Sequence, residues 1–114
     1  MLRYIEAMSA DAGEVNAWIE AAVAPLALRL GLERVLLFGS RARGTASRRS
    51  DIDLFVVWDT PLAPLERIGR ILSELRDAPR PVEAIVYTPR ELRERAQSRF
   101  VKRILAEGRV LHER

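Results

Sequence analysis

Apolar residues recur three and four apart from Val15 to Leu30, taking in Trp18, Ile19, Ala22, Val23 and Leu26, and this spacing predicts a helix over Asp11 to Leu30. Asp11 opens it with Glu14 three residues on, the order of a capping box, and Gly31 closes it. Pro25 removes one backbone donor inside this stretch and clashes with the preceding turn, so a kink or a split is expected there. The pattern then changes. Val35-Leu36-Leu37-Phe38 is apolar throughout, which predicts a short strand that is central in a sheet or covered on both faces. Ile52 to Val57 predicts a second strand. After Thr60-Pro61 and Pro64, helical spacing returns with Leu65, Ile68, Leu72 and Leu75, ending near Arg76. Val82 to Tyr87 predicts a third strand, with Val82, Ala84 and Val86 on one face and Glu83, Ile85 and Tyr87 on the other. Thr88-Pro89-Arg90-Glu91 combines an N-cap, a proline at the first helical position and a capping-box glutamate, so a helix starts there. Leu92, Phe100, Ile104 and Leu105 carry it to Glu107 in two segments broken near Gln97-Ser98, with Gly108 as the stop. Val110-Leu111 adds a short edge strand or packs as a tail.

The order helix, strand, short helix, strand, helix, strand, helix is an α/β pattern with α+β character, a small mixed sheet of three to four strands flanked by helices. A helix joins the second and third strands, so they are expected to run parallel with their N-terminal ends together. The first and second strands are joined by a loop and a short helical turn, so an antiparallel pair is expected. That topology carries Asp51, Asp53, Glu83 and Gly39-Ser40 to one edge.

The chemistry concentrates there. Asp51 and Asp53 flank Ile52 on an otherwise apolar strand, and residues two apart on a strand share a face. Two carboxylates side by side repel each other unless a cation lies between them, so the pair points to a divalent metal site. Gly39 lets backbone approach a ligand closely, and the amides of Ser40 and Arg41, opening a helical turn, form an anion site to which Ser40 adds its hydroxyl. Magnesium favours one or two carboxylates together with phosphate oxygens, and a third acid makes a two-ion arrangement possible.

The chain has 114 residues, the size of one domain spanning 1–114, and its 48% apolar and 31% charged residues are those of a globular protein rather than a disordered one. No window approaches a membrane span, and the first fifteen residues lack an apolar run of signal-peptide length, so a cytoplasmic location is expected. The absence of cysteine excludes a disulfide framework, a zinc-thiolate site and a cysteine nucleophile. Net charge is only +3, yet eighteen of the nineteen basic residues are arginine, and Arg41, Arg43, Arg48 and Arg49 lie between the glycine-serine pair and the aspartates. Guanidinium groups match phosphate oxygens in planar pairs, so this cluster points to a polyphosphate ligand.

Gly39-Ser40-Arg41-Ala42-Arg43-Gly44, five further residues, then Ser50-Asp51-Ile52-Asp53-Leu54 resembles the signature of the minimal nucleotidyltransferases of the DNA polymerase β-like superfamily. The likeness extends to Pro81 through Pro89, where the family carries a third acid, and to Leu105 through Leu111. The resemblance implies that Gly39, Ser40, Arg41, Arg43 and Ser50 bind the nucleotide and that Asp51, Asp53 and Glu83 bind magnesium, two ions in all, and act in catalysis. Glu83 departs from the family, which typically has aspartate there; its extra methylene moves the carboxylate outward by about 1.5 Å. The resemblance further implies magnesium-dependent transfer of AMP from ATP to a hydroxyl, a tyrosine of a co-encoded HEPN-type helical toxin, by a protein acting as antitoxin. At this length no further domain is expected to recognise an acceptor, so the acceptor is expected to come from elsewhere.

Two other functions compete. A catalytically impaired subunit of the same fold would neutralise its partner by binding alone, with Glu83 as the first sign of decay. A nucleic-acid-binding domain would use the arginines, but Asp51 and Asp53 oppose phosphate binding that lacks a metal, so nucleic acid is not expected as a direct sequence-specific ligand. His112, Trp58 and Tyr87 read as packing residues.

Overall fold

A computed structural model describes residues 12–47 and 49–114 of the chain. The first helix among these residues, α1, spans Ala12–Leu30, and strand β1 follows at Arg34–Phe38. The four-residue helix α2 is Ser40–Arg43, and β2 is Ile52–Val57. Then come α3 at Pro64–Glu74, β3 at Val82–Tyr87, α4 at Pro89–Arg95, α5 at Arg99–Glu107 and β4 at Arg109–Glu113. The expected cap at Asp11 lies outside the described residues. Among those residues, no helix is long and apolar enough to cross a membrane.

The four strands form one mixed sheet in the order β3-β2-β1-β4. β2 and β3 are parallel, and β1 is antiparallel to both β2 and β4. The expected pairing of the first three strands is therefore found, and Val110-Leu111 belongs to an edge strand.

Alternation along the strands divides the interior in two. Val35 and Leu37 of β1 with Ile52, Leu54 and Val56 of β2 face α1 and α3, meeting Val15, Ile19, Val23, Leu26, Ile71 and Leu75. Leu36, Phe55 and Val57 face the other way, against Ile104 of α5 and Leu92 of α4. The first layer is broad and the second is thin. A thinly covered sheet face leaves room for a site at its edge.

α1 is neither split nor ended at Pro25. The proline is exposed while Val23, Leu26 and Ala27 around it are buried. Loss of a hydrogen bond on the solvent face, where carbonyl groups without partners can turn to water, is thus offset by burial on the other. Trp18 packs partly buried against the same core, as expected.

Two apolar patterns are corrected. Leu65 and Leu72 were expected on the buried face of α3, but they are 82% and 36% exposed, and Ile71 is fully buried instead. The stripe centres on Arg67, Ile71 and Leu75, and at about 100° per residue Leu72 and Leu65 fall roughly a quarter and a third of a turn from its middle. On α5, Val101 and Ile104 are buried, whereas Phe100 and Leu105 are exposed on its flanks.

The predicted cap of α4 is present in both halves. The Glu91 amide donates to Thr88 Oγ1 at 3.2 Å, and the Thr88 amide donates to Glu91 Oε1 at 2.8 Å. The same Glu91 oxygen accepts from the nearly buried Arg67 at 2.6 Å, tying α4 to α3. The Thr88 amide first, and Arg67 after it, hold the Glu91 carboxyl below its ordinary pKa against the opposing effect of burial. A depressed carboxyl contributes stability that is complete above its unfolded value, about 4.3, and lost as pH falls through the lower folded one. Glu91→Gln is therefore expected to lose about 1 kcal/mol at pH 7, and the gap in urea midpoint from the parent should close as the pH is taken below 4.

Candidate active site

The site lies where β1 ends and β2 and β3 begin. In the sheet register Asp53 is opposite Glu83 on one side and Phe38 on the other. Neighbouring strands are about 4.8 Å apart, so two acids and the residue before Gly39 stand in one lateral row. Asp53 shares the sheet face of Phe55, the thinly covered one.

Asp53 is half-buried, and Glu83 beside it is exposed. Burial, then the Glu83 carboxyl with which it shares a hydrogen bond, raise the Asp53 pKa above its ordinary value; Asp51 adds to this and Arg41 opposes it. Crowding of like charge is thus built into the row. Asp51 is drawn aside by Arg80, whose Nη2 lies 3.6 Å from its Oδ1. Among the described residues, no three Asp, Glu or His side chains are gathered as a metal-ligand set. The carboxyl contact consists of Asp53 and Glu83, with Asp51 at its margin.

Gly39 has φ 73° and ψ −155°, a conformation that residues with a Cβ rarely adopt. A Cβ built there would collide with Asp53 Oδ2 and lie 3.4 Å from its Cγ. The bare Cα of Gly39 is what the Asp53 carboxylate rests against. The following turn, α2, closes through Ala42 and Arg43 amides donating to Gly39 O at 3.1 and 3.2 Å. The amides of Ser40 and Arg41 precede the first bond of that turn. Gly44 ends it with φ 76°.

The arginines separate into different roles. Arg41 was expected to bind nucleotide, but its side chain is buried, 3% exposed, and turned into the protein. Its Nε and Nη2 donate to Ser50 O at 3.1 and 2.6 Å, and Nη1 donates to Asn16 Oδ1 of α1 at 3.3 Å. Burial, followed by the charge of Arg80, lowers its pKa, and Asp51 and Asp53 work the other way. An arginine so placed stays charged. It fastens the loop that delivers Asp51. Ser50 is likewise engaged in that loop, its hydroxyl accepting from the Ser47 amide at 3.1 Å. Arg43 is exposed, with Nη1 4.0 Å from Glu107 Oε2 of α5. Arg49 is exposed, and Arg48 lies outside the described residues.

Arg80 beside Asp51, Asn16 beneath Arg41, and Glu107 beside Arg43 were not singled out from the sequence. Arg80 immediately precedes Pro81 at the mouth of β3, so the parallel register would have put it near Asp51. Nothing local marks Asn16 or Glu107. The packing residues are placed as expected: Trp58 is buried with Nε1 donating to Leu30 O at 3.1 Å, and Tyr87 stands edge-on to Phe55. A ring nitrogen of His112 lies 3.1 Å from Leu32 O, far from the acids in sequence and on the edge strand.

A glycine-serine turn facing paired acids across a mixed sheet is the framework of a nucleotidyl-transferring fold. Residues 26–114 match the model of the family described as Polymerase beta, Nucleotidyltransferase, and the chain belongs to that family. The chain resembles a putative nucleotidyltransferase from Sulfolobus solfataricus, whose structure is known at 1.40 Å resolution: TM-score 0.64, 23% identity, 97% of this chain and 87% of that one covered. It also resembles a toxin-antitoxin crystallised with AMP-PNP, with TM-score 0.55 and 24% identity over 83% of this chain and 73% of the other. A third likeness is to the toxin-antitoxin MntA-HpeT mutant, with TM-score 0.52 and 20% identity over the same shares, 83% and 73%. At these identities the structures agree in fold. A comparison with curated protein sequences gives no match.

Proposed function

We propose that this nucleotidyltransferase moves AMP from ATP to an acceptor hydroxyl in a magnesium-dependent reaction, that the acceptor is a tyrosine of a HEPN-type toxin, and that the protein thereby acts as antitoxin. The observation that carries the reading is the lateral row of Glu83, Asp53 and Phe38, with the bare Cα of Gly39 against the Asp53 carboxylate. The likeness to a toxin-antitoxin with AMP-PNP supports the nucleotide and the partner class. The MntA-HpeT likeness is to a mutant with two aspartates, two positions apart, replaced by glutamate, the same spacing as Asp51 and Asp53.

A divalent cation fits the donors. Two carboxyls close enough to share a hydrogen bond, with a third two residues away, are hard oxygen ligands in need of positive charge. Asp51, Asp53 and Glu83 would hold magnesium, two ions in the fullest arrangement, with Asp51 exchanging Arg80 for an ion. When bound, magnesium supplies neutralisation of the phosphate charge as it shifts toward the leaving group. Gly39, Ser40, the Arg41 amide and Arg43 receive the phosphates, while the Arg41 side chain and Ser50 keep the loop before Asp51 in place. Glu83, on the strand at the far side of the row, faces the acceptor.

The test is to incubate the protein with ATP, magnesium and its co-encoded neighbour and to weigh the products intact. A gain of AMP on the neighbour is expected; no gain on protein, RNA or small acceptors would sink the transferase reading. The second reading, neutralisation by binding alone, draws support from Asp51 being held by Arg80. It predicts that a D51N, D53N double variant still silences the toxin.

A further inference from the structure

Beside Gly39, on the side of the row away from Glu83, is a cleft of about 330 Å³ lined by Phe38, Gly39, Arg43, Phe100, Arg103 and Glu107. It joins the end of β1 and α2 to α5. Two guanidinium groups meet there at a single carboxylate oxygen: Arg103 Nε is 3.3 Å and Arg43 Nη1 4.0 Å from Glu107 Oε2. Arg43 and Glu107 are each a little under half exposed, and Arg103 is about two-thirds exposed. Phe38 and Phe100, edge to face with centroids 6.3 Å apart, form the apolar wall.

We propose that this cleft receives the pyrophosphate end of the donor nucleotide, with Arg103 of α5 joining Arg43 in binding it and Glu107 acting as the competing anion that lets the product leave. The inference rests on the nucleotide-transfer reading and adds to it a residue from a second element. Its basis is the direction of the reaction. The acceptor oxygen bonds to the α-phosphorus while the bond from that phosphorus to the α,β-bridging oxygen breaks. The electron pair of the broken bond leaves with pyrophosphate, and the hydroxyl proton passes to Glu83 or to water. Attacking and departing oxygens lie roughly in line. With the acceptor on the Glu83 side of Asp53, the line runs across β2 toward Phe38 and Gly39 and, beyond β1, into the cleft.

The charges suit that cargo. Pyrophosphate offers several oxygens to two planar donor groups, whereas Glu107 offers each of them one long contact. Binding therefore trades a single carboxylate for a polyanion. Because Glu107 stays in the cleft, its charge continues to oppose the product and favours release.

Binding of ATP, AMP and inorganic pyrophosphate to the full chain, measured by calorimetry with magnesium present, tests this. Arg103→Ala is expected to weaken ATP and pyrophosphate roughly tenfold and leave AMP unchanged, because AMP lacks the two distal phosphates. Arg103→Lys should recover part of the loss, and Glu107→Gln should tighten pyrophosphate and increase product inhibition. Arg103 is exposed on its helix, so R103A should fold. A parent protein that binds ATP and an R103A variant that binds it equally well would overturn the inference and leave the transferase reading standing. A parent that binds neither ATP nor pyrophosphate would overturn both.

Discussion

Replacing Asp53 by asparagine is expected to reduce nucleotide transfer by about three orders of magnitude or more while leaving the metal-free protein at least as resistant to urea as its parent. The two effects have one cause. Asp53 is half-buried beside Glu83, and both its burial and that neighbour disfavour its charge. Asparagine keeps the shape, removes the repulsion and can donate a hydrogen bond to Glu83, so the fold gains. The same change removes the carboxylate at the centre of the row, where the proposed magnesium site most needs an anionic ligand. Asp51→Asn gives the contrast. Asp51 is exposed and paired with Arg80 at 3.6 Å, so its loss should reduce transfer with little change in stability. Transfer assays and urea midpoints on both variants, with and without magnesium, check the pair of outcomes. A D53N variant that unfolds more easily than its parent would show that the Asp53 charge is already compensated without a cation. One that transfers AMP normally would remove Asp53 from the chemistry.

The outline of this fold is legible in the sequence because its strong signals are local. Period-two alternation in Val82 to Tyr87, the Thr88-Pro89-Arg90-Glu91 cap and the apolar run at β1 each follow from neighbours a few residues away. The parallel and antiparallel pairings follow from connection lengths, and these bring Gly39, Asp53 and Glu83 to one edge. What the sequence conceals depends on distant partners. Pro25 looks like a helix breaker until its exposure and the burial of Leu26 and Ala27 are known. Leu65 and Phe100 fit an apolar stripe, but Leu65 is left in solvent and Phe100 meets the sheet only edge-on at Phe38, while Arg67 takes a buried place by finding Glu91 and Leu62 O. Composition groups the loop arginines as one phosphate cluster. Burial separates them, sending Arg41 inward to Ser50 and Asn16 and leaving Arg43 beside Glu107. Sequence could locate the charges; only the fold decides which are engaged within the protein and which face a ligand.

Gly39→Ala is expected to abolish transfer and to cost about 2 to 4 kcal/mol of stability, far more than an alanine normally costs in a loop. Part of that cost is conformational. At φ 73° and ψ −155° a side-chain methyl is strained wherever space exists. The remainder is contact: the new Cβ would overlap Asp53 Oδ2, so either β1 must draw away from β2 or the Asp53 carboxylate must turn from its place beside Glu83. Either movement breaks the lateral row that the proposed transfer requires, since reacting groups displaced by about 1 Å lose about a hundredfold in rate. The two parts can be separated in a double-mutant cycle. Asp53→Ala removes the atoms that the methyl strikes but leaves the backbone strain untouched, so G39A should cost less in the D53A background than in the parent. The difference in urea unfolding free energy between the two backgrounds measures the contact. If the cost is the same in both, Gly39 is required for its backbone angles alone, and the close fit of its Cα to Asp53 is a consequence of the turn. If the cost falls, the glycine that begins the phosphate turn also sets the position of the central acid, and the two halves of the Gly39 to Asp53 motif act as one contact.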